Sequence, residues 1–193
     1  NLCLTIAGDV PAGQAIRRAG AQPGDDVWVS GELGGAMLAL AALQGRTALG
    51  DEELARLRQR LERPQPRVAL GIALRGTASA MLDVSDGLTG DLGHILDASA
   101  VGARVDLARI PCAAALAARR DGPERELAVA CLLAGGDDYE LLFTAPNVAR
   151  ERVAAIGREV GVPLTRIGEV TPPGTGLVVR GEDGAPLPAL PHA

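Results

Sequence analysis

Apolar and polar positions follow two rhythms along this chain, and each change of rhythm marks an element. Val27-Trp28-Val29-Ser30, set between the turn Pro23-Gly24-Asp25-Asp26 and Gly31, is a run of β-formers and predicts a short strand. Residues 35–44 are small and apolar and predict a closely packed helix. Leu54, Leu57 and Leu61 then recur at helical spacing, with Asp51 as the expected N-cap and Glu52 and Glu53 in the first turn. That helix should stop at Arg63-Pro64-Gln65-Pro66-Arg67, because proline lacks an amide donor and drives the residue before it towards an extended backbone. A third helix is expected over 68–75. Ala80-Met81-Leu82 predicts a brief strand running into Asp83-Val84-Ser85-Asp86-Gly87, after which Leu88, Leu92, Ile95 and Leu96 form a helical stripe ending near Ser99. Further on, the pattern predicts strands at 103–107, 141–144, 164–170 and 176–180, and helices at 112–119, 124–133 and 147–160. From Gly181 the prolines at 186, 188 and 191 predict loop, frayed at its end.

Strands alternating with helices imply an α/β fold, layered in the α+β manner, with a mixed sheet covered by helices. The strand-turn-helix at 80–99 would put polar side chains at a sheet edge, where α/β folds gather function. The chain opens on the apolar stretch Leu2-Cys3-Leu4-Thr5-Ile6 with no Met and no preceding turn, so further sequence is expected in front of it.

Composition narrows the chemistry. The chain has 193 residues, 47% hydrophobic, but Phe, Tyr and Trp occur once each, so the core is built from small and branched side chains and no aromatic platform exists for stacked bases. A net charge of −5 without a Lys/Arg-rich run excludes a nucleic-acid-binding surface. Cys3, Cys112 and Cys131 lack disulfide-framework or zinc spacing and read as small buried hydrophobes in a reducing compartment. With no long uncharged apolar run and no signal-peptide order, a soluble, cytoplasmic protein with no membrane partner is expected.

Two acidic clusters are left to carry chemistry. Asp83 and Asp86 flank Ser85 in a turn closed by Gly87, and two carboxylates at this spacing can converge on one hard cation while the hydroxyl bonds a phosphate. The following helix start would add amides and a positive dipole end. On spacing alone the same residues are more often helix caps. In Gly135-Gly136-Asp137-Asp138-Tyr139-Glu140 the glycines allow close backbone approach, and three carboxylates in four residues repel unless cations or hydrogen-bond donors meet them. An ordinary solvated turn is the alternative. His94 has no paired group and reads as structural rather than as a base.

Taken together these segments resemble the thiamine-monophosphate kinase family. DVSDGL at 83–88, DLGHIL at 91–96, VGARVDL at 101–107 and AGGDDYELLFT at 134–144 occur in that family's order, the last being similar to its GGEDYEL segment. RPQPR at 63–67 resembles its RPxPR element, and residues 10–31 resemble the stretch after its first domain. The resemblance implies the aminoimidazole-ribonucleotide-synthetase-like fold, with residues 1–20 the end of an amino-terminal ATP-binding domain, 21–185 the carboxy-terminal α/β domain and 186–193 a tail.

It also implies Asp83 and Asp86 as Mg²⁺ ligands, Ser85 and Arg18 as contacts to ATP, and Asp137 as a substrate contact with Tyr139 beside it. Asp137 stands where the family motif has Glu, so its reach is shorter and a water would bridge. The implied reaction is in-line transfer of the ATP γ-phosphoryl to thiamine monophosphate, giving thiamine diphosphate, with no catalytic acid or base assigned because positioning and charge neutralisation suffice. The whole protein is expected to be a homodimer joined through amino-terminal domains, and this chain alone a monomer without kinase activity. The family's Gly-Gly-Asp-Thr element would lie before Asn1, and its carboxyl-terminal aromatic is missing. Alternatives are another ATP-using synthetase of the superfamily, or a non-catalytic binding or dimerisation domain.

Overall fold

The computed structural model describes residues 3, 5 and 7–188. Its centre is one mixed sheet of six strands in the order β2-β4-β1-β5-β3-β6: β1 (Asp25–Ser30), β2 (Ala80–Asp83), β3 (Gly102–Asp106), β4 (Leu141–Pro146), β5 (Leu164–Thr171) and β6 (Leu177–Arg180). Neighbours are antiparallel except for β3 with β6. The helices are α1 (Gly35–Leu43), α2 (Asp51–Glu62), α3 (Val68–Ala73), α4 (Leu88–Ser99), α5 (Ala114–Ala117), α6 (Arg125–Ala134) and α7 (Arg150–Val160). The expected α/β layering is therefore present.

Alternation along the central strands sorts side chains to two faces. Val27, Val29 and Leu142 enter the larger core with Leu38 of α1, Leu57 of α2, Leu92 and Ile95 of α4 and Leu132 of α6. Trp28, Phe143 and Ala145 enter the smaller one with Leu70 and Leu74 near α3 and Val153 and Ile156 of α7. Trp28 stacks on Phe143 with centroids 6.3 Å apart and planes 8° from parallel. With so few aromatics, the remaining volume is filled by Leu, Val and Ala. Asp26 of β1 is buried on this side and is held by Arg150 of α7, at 2.5 and 2.8 Å, and by Arg166 of β5.

Several local expectations need correction. Asp51 lies inside the first turn of α2; Gly50 is the N-cap and no side chain caps it. The helix expected over 112–119 shrinks to the single turn of α5, because Cys112 forms a bridge with Leu33 and the Leu33 amide donates to the Pro111 carbonyl. The helix expected from 147 begins as a 3-10 turn, Asn147–Ala149. Cys3 is exposed, whereas burial pushes the Cys131 thiol up to about 11, as expected of an inert core residue. The chain after Gly181 does not fray at once: Pro186 bridges to Arg180, the Leu187 amide donates to Val179, and Leu187 packs on the larger core. The apolar opening at 2–6 falls largely outside the described residues, as do residues 189–193.

The segment leading into β1 crosses the outer side of β2. The Met81 amide donates to the Arg17 carbonyl, Ser99 accepts from the amides of Gly20 and Ala21, and Ile16 packs on the smaller core.

Candidate functional site

The two acidic segments meet at one end of the sheet. β2 pairs with β4 so that Asp83 stands opposite Leu141, and the pairing continues past both strands. The Val84 amide donates to the Glu140 carbonyl at 2.8 Å, the Tyr139 amide to Val84 at 2.9 Å and the Asp137 amide to Ser85 at 3.0 Å. Gly136 makes this approach possible, since a Cβ there would lie 2.3 Å from the Ser85 carbonyl oxygen. Asp137 and Tyr139 both have positive φ, 65° and 50°, a conformation uncommon outside glycine that non-local pairing must hold in place.

The zippered backbone separates the carboxylates by task. Asp83, Asp86 and Asp137 are exposed at the edge, while Glu140 turns inward and Asp138 is partly buried. Asp138 accepts from the Gly34 amide at 2.6 Å and, at a long 3.5 Å, from the Ala36 amide at the start of α1, a helix with no acidic residue in its own first turn. Burial outweighs these amides and pushes its carboxyl up to about 7. Glu140 is 2% exposed. It takes two hydrogen bonds from Arg67, at 2.8 and 2.6 Å, and one from the Ser30 hydroxyl at 2.5 Å, with Arg60 at 3.7 Å. The same Ser30 oxygen accepts the Leu141 amide, so the end of β1 and the start of β4 share one hydroxyl. The pair raises the Arg67 pKa further, chiefly through the hydrogen bonds to Glu140. The repulsion expected within this segment is thus relieved by helix amides for one carboxylate and by guanidinium groups for another.

The capping alternative for 83–86 does not describe this turn. Gly87 is the N-cap of α4 without a side-chain bond, and buried Asp91, in the helix's first turn, reaches back to accept the Ser85 and Asp86 amides at 2.9 and 3.0 Å. Desolvation raises the Asp91 pKa, the two amides lower it, and neighbouring Asp86 and Asp83 add to the rise. These amides are occupied by Asp91, which leaves the Ser85 side chain to meet any ligand.

Tyr139 is 38% exposed and donates its hydroxyl to Asp137 at 3.2 Å. Its pKa is raised by desolvation, then by Asp137, Asp83 and Asp86. Beside them lies a cavity of about 490 Å³ lined by Pro64, Pro66, Arg67, Met81, Leu141 and neighbouring residues, with Asp83 and Tyr139 in its wall. Asp83, Ser85, Asp86, Asp137 and Tyr139 are therefore gathered. The Arg18 carbonyl meets the Ser99 hydroxyl at the end of α4, and the carbonyl of Arg17 before it takes the Met81 amide on β2. His94 is exposed on α4.

Sequence reasoning missed Ser30 and Arg60 as inward partners of this edge, and met Arg67, Asp91 and Glu140 only as parts of motifs. A pairing between residues 73 positions apart leaves no periodic trace; the one available signal was an Arg-bearing and an acidic motif in the same chain. Among the described residues no group of three or more His, Cys, Asp or Glu is close enough to enclose a metal. Asp83 and Asp86 fit Mg²⁺ as two exposed, hard oxygen donors that need further ligands from elsewhere.

Comparison with known proteins recovers this mixed sheet layered with helices as a class. The chain belongs to the AIR synthase related family, whose carboxy-terminal domain matches residues 22–180. Within that class it is similar to thiamine-monophosphate kinases. It is 43% identical over 189 residues to the thiamine-monophosphate kinase of Salmonella typhimurium, covering 97% of this chain and 57% of that protein. The crystal structure of the thiamine-monophosphate kinase from Stenotrophomonas maltophilia superposes with a TM-score of 0.80 at 46% identity, over 92% of this chain and 56% of the other. AaThiL complexed with AMPPCP and TMP gives 0.69 at 29%, over 91% and 52%. The chain thus spans a little over half the length of the relatives it matches.

Proposed function

We propose that the protein carrying this chain is a cytoplasmic, homodimeric thiamine-monophosphate kinase, which transfers the ATP γ-phosphoryl to the phosphate of thiamine monophosphate. Residues 21–185 are its carboxy-terminal domain and residues 1–20 the end of the domain before it. The observation that carries this reading is the backbone pairing that brings the segments of Asp83, Asp86, Asp137 and Tyr139 to one edge, with Asp83 and Tyr139 in the wall of an apolar cavity. The cavity suits a heteroaromatic ring, and the acidic edge suits metal-borne phosphates.

Asp83 and Asp86 would hold Mg²⁺, which when bound would neutralise phosphate oxygens. Ser85 would bond a phosphate of ATP, and Arg18 a more distant part of the nucleotide. Asp137, braced by the Tyr139 hydroxyl, would meet the acceptor, directly or through a water. An acceptor phosphate is already nucleophilic at neutral pH, so these residues position and shield two anions rather than move a proton.

A coupled assay on the full-length protein tests the reading. Thiamine monophosphate should support ATP turnover, and Asp83→Asn or Asp86→Asn should lower it roughly a hundredfold with the thermal unfolding curve unchanged. Turnover with an amide-bearing ribonucleotide in place of thiamine monophosphate would refute it.

A further inference from the structure

Arg67 is the one cationic side chain lining the cavity among the described residues, and Asp83 the one acid. The guanidinium is partly exposed, at 25%, while the Glu140 carboxylate behind it is nearly sealed. That carboxylate cannot turn away. A Cβ at Gly31 would lie 2.1 Å from Glu140 Oε1, so the side chain rests directly on the β1 backbone, and Ser30 fixes its other oxygen. Arg60 is near but already paired, giving one nitrogen to the Glu32 carboxylate at 2.8 Å and another to the Glu32 carbonyl at 2.6 Å. Charges therefore cancel as Arg60 with Glu32 and Arg67 with Glu140.

We propose that Glu140 is a specificity-determining residue: by neutralising Arg67 it keeps net positive charge off this wall of the cavity, which then admits an acceptor whose heteroaromatic ring is cationic. The proposal rests on the kinase reading, in which the acceptor carries a thiazolium ring beside its phosphate. An unpaired Arg67 would repel that ring, and in a partly hydrated pocket the repulsion is felt without full screening. A purely mechanical role, tying the RPQPR turn to the sheet, would affect charged and neutral rings alike. An electrostatic role separates them.

The test compares, in the full-length enzyme, kcat/KM for thiamine monophosphate and for its neutral isostere with carbon in place of the ring nitrogen. Glu140→Gln should lower the charged-to-neutral ratio about tenfold, the effect of one charge acting across a partly hydrated cavity. Adding Arg67→Met to Glu140→Gln should restore the ratio, although it restores no hydrogen bond. An unchanged ratio in Glu140→Gln, or a double variant as low as the single one, overturns the proposal. Should Glu140→Gln fail to fold, Arg67→Met alone decides: a ratio equal to or above that of the unsubstituted enzyme supports the proposal, and a fall refutes it. An unsubstituted enzyme that turns over neither ring sinks the kinase reading and this inference with it. A ratio that stays fixed in an active enzyme sinks this inference only.

Discussion

At the scale of single residues, Asp26 and Asp138 are perturbed in opposite directions. Burial raises the Asp26 pKa, but hydrogen bonds and charges from Arg150 and Arg166 outweigh it, so the net shift is downward. A carboxyl depressed in the folded state lends stability above its unfolded value, ~4, and that stability is lost as pH falls through the folded value. Asp26→Asn should therefore destabilise the fold at pH 7 and matter progressively less as pH falls below ~4, in melts followed by circular dichroism. Asp138 is raised to about 7, so the native state binds a proton that the unfolded chain releases. Its contribution is full below pH ~4 and is lost as pH rises through about 7. Relative to Asp138→Asn, the unsubstituted protein should lose stability between those limits. A flat difference would mean that the α1 amides hold this carboxylate ionised.

Between elements, the contacts that matter are those joining β2 and β4 beyond their ends. Gly136→Ala would drive a methyl group into the Ser85 carbonyl and should cost about 2 kcal/mol in urea unfolding, with the loss accompanied by faster amide exchange at Asp137 and Tyr139. Helix α4 and the strand before it were legible because Leu88, Leu92, Ile95 and Leu96 repeat at 3.6 residues and nothing local competes. The 112–119 helix was misread because Cys112 is claimed by Leu33, a partner that no local pattern reveals. The acidic edge was legible as composition and its family as motif order. Its architecture was not: Asp91, Ser30 and Glu140 act across loops, and the inward turn of Asp138 depends on where α1 begins.

For the whole molecule, the chain spans 57% of its Salmonella relative, and on the proposed kinase reading a site shared with a further domain cannot align two reactants without that domain. The 193-residue chain alone should fold, unfold cooperatively in urea and show no kinase activity. Turnover by the purified chain, with contaminating kinase excluded, would refute that. The segment crossing β2 adds a separate consequence. β2 is one of the sheet's two edge strands, and the Arg17 carbonyl answers the Met81 amide, which points away from β4. A shortened domain beginning at Gln22, which the boundaries of the family match would suggest, bares that edge to another copy of itself. Light scattering should then find more self-association than in the longer chain, the outcome expected if residues 16–21, which carry none of the acidic edge, shield the domain from its own copies.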